Sequence, residues 1–287
     1  MFLLRAICDV VERILLAGVN FLIQCLNKKP SRLAFFLTRL QLLIPQIYTV
    51  TAGNQKLLFS YDNELTYMRA ASFFDKEPET IEWLDSIPSG SCLWDIGANV
   101  GLYSVYAAKV RECEVVAFEP SVFNLEVLAK NTVLNGISHR ITIFPIALSS
   151  ESKSATFRMT NTSRGGACST FGEGYGYDGH AFDSVFEYKT ISVPGDEVIS
   201  LYNGSMRPPN FIKMDVDGIE HIVIRGMKNI LQTPELKGIL VEINENFEEQ
   251  RKNLVDALES AGFSLTDRRR TEYDFPGCYN YIWNRVQ

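Results

Sequence analysis

Among the six cysteines there is no CxxC pair, and the three histidines are scattered. That excludes the usual zinc-site spacings and offers no disulfide framework; free thiols in a reducing compartment are the expectation. Basic residues do not exceed acidic ones. The formal charge is −6, which argues against a general nucleic-acid-binding surface. The uncharged apolar stretch 14–26 stops at 13 residues, too short for an ordinary membrane span. No small-residue cleavage site stands out, and Asp9 and Glu12 fit a signal peptide poorly. There is no internal repeat.

What is present is enough apolar sequence, 46% against 22% charged, for a substantial core in one domain with an extension. The boundary is drawn at 48/49. Within residues 1–48, Arg5, Asp9, Glu12, Arg13, Asn20, Gln24, Asn27 and Lys28 recur at helical spacing, and a second apolar stretch, 33–47, follows Pro30 and carries Arg39. The pattern predicts an amphipathic helical extension. Two readings of it stand: a cover for the catalytic domain or a homodimer contact, and a peripheral membrane attachment or lid over an apolar substrate.

Residues 47–60 alternate as a hairpin around Gly53-Asn54, and 77–87 reads as a helix ended by Pro88-Ser89-Gly90. From residue 91 short apolar strands (91–96, 114–118, 141–146, 209–214, 237–243) alternate with helices (100–110, 121–135, 219–231, 246–261). That order implies an α/β fold with a largely parallel sheet and helices on both faces. Residues 263–266 and 279–283 supply two more strands, closely connected and therefore an antiparallel C-terminal pair. Residues 150–195 break the alternation. Their glycines at 165, 166, 172, 174, 176 and 179 suggest a surface loop, either mobile or ordering on substrate.

The chemistry concentrates at strand ends. Asp95-Ile96-Gly97-Ala98-Asn99-Val100-Gly101 is a strand running through a small-residue turn into a helix, although Asn99 stands where GxGxxG has its second glycine. Gly97, Ala98, Asn99 and Gly101 permit close backbone approach, turn N–H groups are available to a carboxylate, and Asp95 can pair with an ammonium. Glu119-Pro120 ends the next strand, 18 residues after Gly101; an acid here suits a free ribose diol. Asn124 lies one turn into the following helix, and Ala147 leaves room for a flat ring. Asp215, Glu220 and His221 cluster around the end of the fourth strand as candidates for proton abstraction. Asp215, Asp217 and Glu220 are also three acids of the kind that hold a divalent cation, although no metal is expected. Glu242, a charge in an apolar strand, either closes this acidic site or pairs with a base such as Lys213.

Taken in order, Asp95–Gly101, Phe118-Glu119-Pro120, 212–220 and Val241-Glu242 resemble the FkbM family of S-adenosylmethionine-dependent, mainly O-directed methyltransferases. The resemblance covers roughly residues 55–285. It implies a class I methyltransferase (Rossmann-like) sheet of seven strands, the last antiparallel. It places Asp95, Gly97, Asn99 and Gly101 at the methionine part of the cofactor, Glu119 at the ribose, Ala147 near adenine and Asp215 near the transferred methyl. Asp217 departs from the glutamate expected in the family's Asp-x-Glu-Gly run. The expected acceptor is a hydroxyl of a small molecule, sugar or glycolipid. The expected location is cytoplasmic, at the inner face of a membrane if residues 1–48 attach there. A non-catalytic cofactor-binding protein and an NAD-dependent oxidoreductase are the alternatives.

Overall fold

The computed structural model describes residues 16–21, 23, 34–35, 38–39, 46–201, 206–271 and 275–286. The chain divides into two units, Met1–Gln46 and Ile47–Gln287. The expected N-terminal helices fall mostly outside the described residues; those described there, except Gln46, are helical. Among the described residues, no helix is long and apolar enough to cross a membrane.

The second unit opens with the hairpin β1 (Ile47–Ala52) and β2 (Gln55–Ser60). Ala52 pairs with Gln55, so Gly53-Asn54 forms the turn, with Gly53 at φ 56. A glycine at positive φ is what such a tight turn requires. Helix α1 (Glu64–Ala71), absent from the sequence reading, starts at a capping box in which Asn63 Oδ1 accepts from Thr66 N. Helix α2 (Pro78–Ser86) has proline at its first position, where no N–H is needed.

The main sheet has seven strands in the order β12-β13-β11-β10-β3-β4-β5. They are β3 (Cys92–Ile96), β4 (Glu114–Phe118), β5 (Ile141–Phe144), β10 (Phe211–Met214), β11 (Gly238–Asn244), β12 (Phe263–Arg270) and β13 (Cys278–Arg285). Only β13 runs against its neighbours. This is the order and polarity of the class I methyltransferase sheet. Central β3 is buried along its whole length because both faces are covered. Cys92, Trp94 and Ile96 enter one apolar core and Leu93 the other, as strand alternation demands. Helices α3 (Leu102–Lys109) and α4 (Val122–Leu134) follow β3 and β4, and α8 (Glu248–Ser260) follows β11.

Three expectations need correction. Strand 141–146 ends at Phe144, because Pro145 cannot donate to a ladder, and the chain then enters another sheet. That sheet, ordered β6-β9-β7-β8, replaces much of the expected 150–195 loop. It comprises β6 (Ala147–Leu148), β7 (Lys153–Met159), β8 (Thr170–Phe171) and β9 (Phe186–Val193), and it buries Phe157, Met159 and Phe171 in the first core. Helix α5 (Gly195–Leu201) follows β9. The expected helix 219–231 is two, α6 (Glu220–Arg225) and α7 (Lys228–Gln232). A Cβ at Gly226 would lie 2.1 Å from the Ser149 carbonyl oxygen, and Asp196 accepts from Asn229 N and Ile230 N to start α7.

Candidate active site

The C-terminal ends of β3, β4, β10 and β11 face a cavity of about 490 Å³, within the roughly 300–1,000 Å³ typical of small-molecule sites. Crevices beyond strand carboxyl ends are where open α/β sheets bind ligands.

Gly97 sits at φ 82, and a Cβ there would lie 1.8 Å from the Asp215 carbonyl oxygen. The ends of β3 and β10 therefore close on each other only because residue 97 has no side chain. At Gly101, φ 81, a Cβ would meet Leu128 Cδ1 at 2.3 Å, so this glycine seats α4 against the turn. The turn's own N–H groups are already used: Gly97 N and Ala98 N donate to Phe118 O, Asn99 N to Glu119, Val100 N to Asn99 Oδ1 and Gly101 N to Ala98 O. This corrects the expectation that they meet a carboxylate. The free donors nearby are those of the first turn of α3, where Leu102 and Tyr103 line the cavity.

Glu119 lines the cavity with both oxygens anchored, Oε2 accepting from Asn99 N and Oε1 from Ser121 N, each at 2.7 Å. Burial pushes its carboxyl up to about 7 despite those two donors. Around it Phe118, Pro120, Ile146, Ala147 and Leu148 form an apolar slot.

Asn99 and Asn124 also border the cavity, but their amides hold a loop. Both Nδ2 atoms donate to Gly166 O, at 2.8 and 3.1 Å, and Asn124 Oδ1 accepts from Gly165 N. Arg69 Nε donates to Gly165 O, Asn63 Nδ2 to Arg164 O, and Arg164 bridges Asp62 and Glu126. The segment around 164–169, part of the stretch expected to be either mobile or ordering on substrate, is strapped down by these contacts.

The other end is charged. Lys213 is buried 3.4 Å from Asp215, and its ammonium lies 5.0 Å from the Tyr103 ring centre. Burial would lower Lys213; Asp215, then Asp95, Glu77 and Glu242, outweigh it and hold it above its ordinary value. Burial likewise opposes ionised Glu77, but Lys76 at 2.8 Å and Lys213 bring it to about 2. Asp217, at φ 58, accepts from Ser169 N and is raised to about 6 by burial and Asp215.

Several expected site residues do not reach the cavity. Asp95 lies beneath it, buried, with Ser104 Oγ donating to Oδ2 and Oδ1 unpartnered. Glu220 is an internal cap: its carboxylate accepts from Val216 N, Gly218 N and Gln250. His221 packs edge-on against Phe247. Neither lines the cavity, so the structure withdraws both as proton acceptors. The first turn of α6 is close to Asp215 in sequence, but its side chains are spent on the helix start and on α8. Among the described residues no three His, Cys, Asp or Glu side chains converge as metal ligands. Conversely, Arg69, Lys76, Glu77, Cys168 and Phe275 line the cavity without having been singled out. They arrive from distant segments and carry no local signature.

The profile described as "Methyltransferase FkbM domain" matches residues 95–265. The chain is 30% identical over 165 residues to the hexuronic acid methyltransferase AglP of Haloferax volcanii, covering 56% of this chain and 59% of that protein. It is 27% identical over 256 residues to the methyltransferase sdnD of Sordaria araneosa, covering 76% of this chain and 90% of that protein. Among solved structures it is similar to the FkbM methyltransferase of Methylobacillus flagellatus KT, with 15% identity, a TM-score of 0.48, and coverage of 77% of this chain and 55% of that one. With the turn, the acid at the end of β4 and the sheet order all in place, the chain belongs to the FkbM methyltransferase family, whose methyl donor is S-adenosylmethionine.

Proposed function

We propose that this protein methylates a hydroxyl oxygen of a sugar, glycolipid or small-molecule acceptor. The observation that carries the reading is the two-ended cavity: an anchored Glu119 beside an apolar slot at one end, and a lysine–carboxylate cluster at the other. The residues present fit the donor. Glu119 has lone pairs left for a ribose diol, Pro120 and Ala147 flank a slot suited to a flat base, and the first turn of α3 offers N–H donors to a carboxylate. Gly97 and Ala98 line the cavity, Gly101 seats α4 against the turn, and Asn99 and Asn124 act through the loop they hold.

When bound, S-adenosylmethionine supplies an activated methyl group on a sulfonium, so the protein's part is chiefly orientation and exclusion of water. Asp215, facing the cavity and neutralised by Lys213, positions the acceptor end. The hexuronic acid named for AglP supports a sugar as the acceptor class.

Calorimetric titration with S-adenosylmethionine is the test, with Glu119→Ala and NAD as comparisons. The expected result is micromolar-range binding, weakened at least roughly tenfold in Glu119→Ala by loss of a charged hydrogen-bonding partner, and no uptake of NAD. Absence of binding to folded protein refutes the reading, and binding of NAD instead moves it to an oxidoreductase.

A further inference from the structure

Five carboxylates line the cavity: Glu77, Glu119, Asp215, Asp217 and Glu242. Four have partners. Glu77 pairs with Lys76, Glu119 takes two backbone N–H groups, Asp215 pairs with Lys213, and Asp217 accepts from Ser169 N. Glu242 alone has no hydrogen bond or ion pair among the described residues, while bordering the cavity.

Its place follows from strand register. Met214 pairs with Val241, so Glu242 is the next residue out, beside Asp215 at the carboxyl ends of β10 and β11. Lys213 has Leu240 and Asp95 as register partners on its two sides. Glu242 lies two residues beyond Leu240 and therefore on the same face as Lys213. A carboxylate in this apolar strand with no protein partner is costly unless something else satisfies it.

We propose, resting on the methyltransferase reading above, that Glu242 is the group that accepts the acceptor's hydroxyl proton. In that step the acceptor oxygen forms the new C–O bond with a lone pair. The donor's C–S bond breaks with its electron pair remaining on sulfur, and the hydroxyl proton passes to a Glu242 carboxylate oxygen. Atoms and charge balance: a sulfonium and a carboxylate become a thioether and a carboxylic acid. A hydroxyl needs such a partner and an ionised carboxylate acceptor does not, so the inference also favours alcohol over acid acceptors.

The groups acting on Glu242 come from several elements. Burial dominates, and Asp215, Glu77, Asp217 and Glu220 add to it, so its carboxyl stands well above the ordinary range. Lys213 opposes them, and the neighbouring Cys168 and Cys278 thiols are raised to about 12 and beyond, hence protonated and uncharged. A base with a raised pKa is ionised, and so competent, only on the high-pH side of that value; function falls as pH drops through it.

The test needs no identified acceptor. Sinefungin, an unreactive donor analogue with an amine at the methyl-bearing position, is compared calorimetrically with S-adenosylhomocysteine from pH 5.5 to 8.5. The wild type is expected to prefer sinefungin roughly tenfold or more at high pH, the size of a charge-assisted hydrogen bond. The preference should fade on acidification, disappear in Glu242→Gln and persist in Glu242→Asp. A pH-independent preference in the wild type, or an unchanged one in Glu242→Gln, overturns the inference. If the wild type binds neither compound, it is the methyltransferase reading that has failed.

Discussion

Replacing Gly97 by alanine should be among the most damaging single-methyl additions in this protein, and three glycines allow the reason to be isolated. Gly90, Gly97 and Gly101 have nearly the same positive φ, 77, 82 and 81. An L residue there costs about 1–2 kcal/mol in each case. They differ in space. A Cβ at Gly90 meets nothing within 4 Å; at Gly101 it meets the end of the Leu128 side chain at 2.3 Å; at Gly97 it meets backbone, Asp215 O at 1.8 Å. A buried leucine tip can rotate at modest cost. A carbonyl held just past the end of β10 cannot, since the Asp215 N of the same residue donates to Ile96 O. Adding about 1–3 kcal/mol or more for overpacking gives a ladder of about 1–2 for Gly90→Ala, about 2–4 for Gly101→Ala and about 3–5 kcal/mol for Gly97→Ala. Urea unfolding midpoints at constant m measure it, and S-adenosylmethionine affinity should fall most for Gly97→Ala. If Gly97→Ala costs no more than Gly90→Ala, close approach of the strands is not why glycine stands there.

Arg164→Ala should cost under about 1 kcal/mol of stability, since its ion pairs are partly exposed, yet release S-adenosylhomocysteine several-fold faster in stopped flow because the loop loses a strap; an unchanged release rate would show that these ion pairs do not hold the loop over the ligand. His221→Gln should leave donor affinity within about twofold, and a large loss would reinstate that side chain in the site. Glu220 is buried with its carboxyl raised from 4.5 to about 7 by burial, opposed by Val216 N–H. A raised folded pKa stabilises the fold fully below the unfolded value, and that contribution is lost as pH rises through about 7, at most about 3 kcal/mol. Unfolding midpoints between pH 4.5 and 8 should therefore fall less steeply in Glu220→Gln than in wild type; parallel slopes would contradict the assignment.

The main sheet was legible because strands buried on both faces are apolar runs, as in Cys92–Ile96 and Gly238–Asn244, punctuated by turns. Glu119 was legible because its position relative to the glycine turn is a local matter. The second sheet was hidden because Lys153–Met159 and Phe186–Val193 are separated by glycine-rich sequence that reads as loop. Asn99 and Asn124 show another limit. Both border the cavity, but an amide serves a ligand and a loop carbonyl equally well, and only the fold shows Gly166 O between them. For Glu220 and His221 the direction in which a helix turn presents its side chains decided the matter, and proximity to Asp215 in sequence does not reveal it. Arg69 and Glu77 reach the cavity from beyond the motifs, through contacts no local pattern encodes.

The small sheet is inserted between β5 and α5, and it gives the cavity a wall of its own, including Phe157, Cys168 and Phe171. The strands that carry Glu119, Lys213 and Glu242 belong to the other sheet. Apart from Ala147 and Leu148 of β6, which border the slot beside Glu119, the cavity-lining residues of that insert can change in size or loop length while the strands of the main sheet keep their sequence and register.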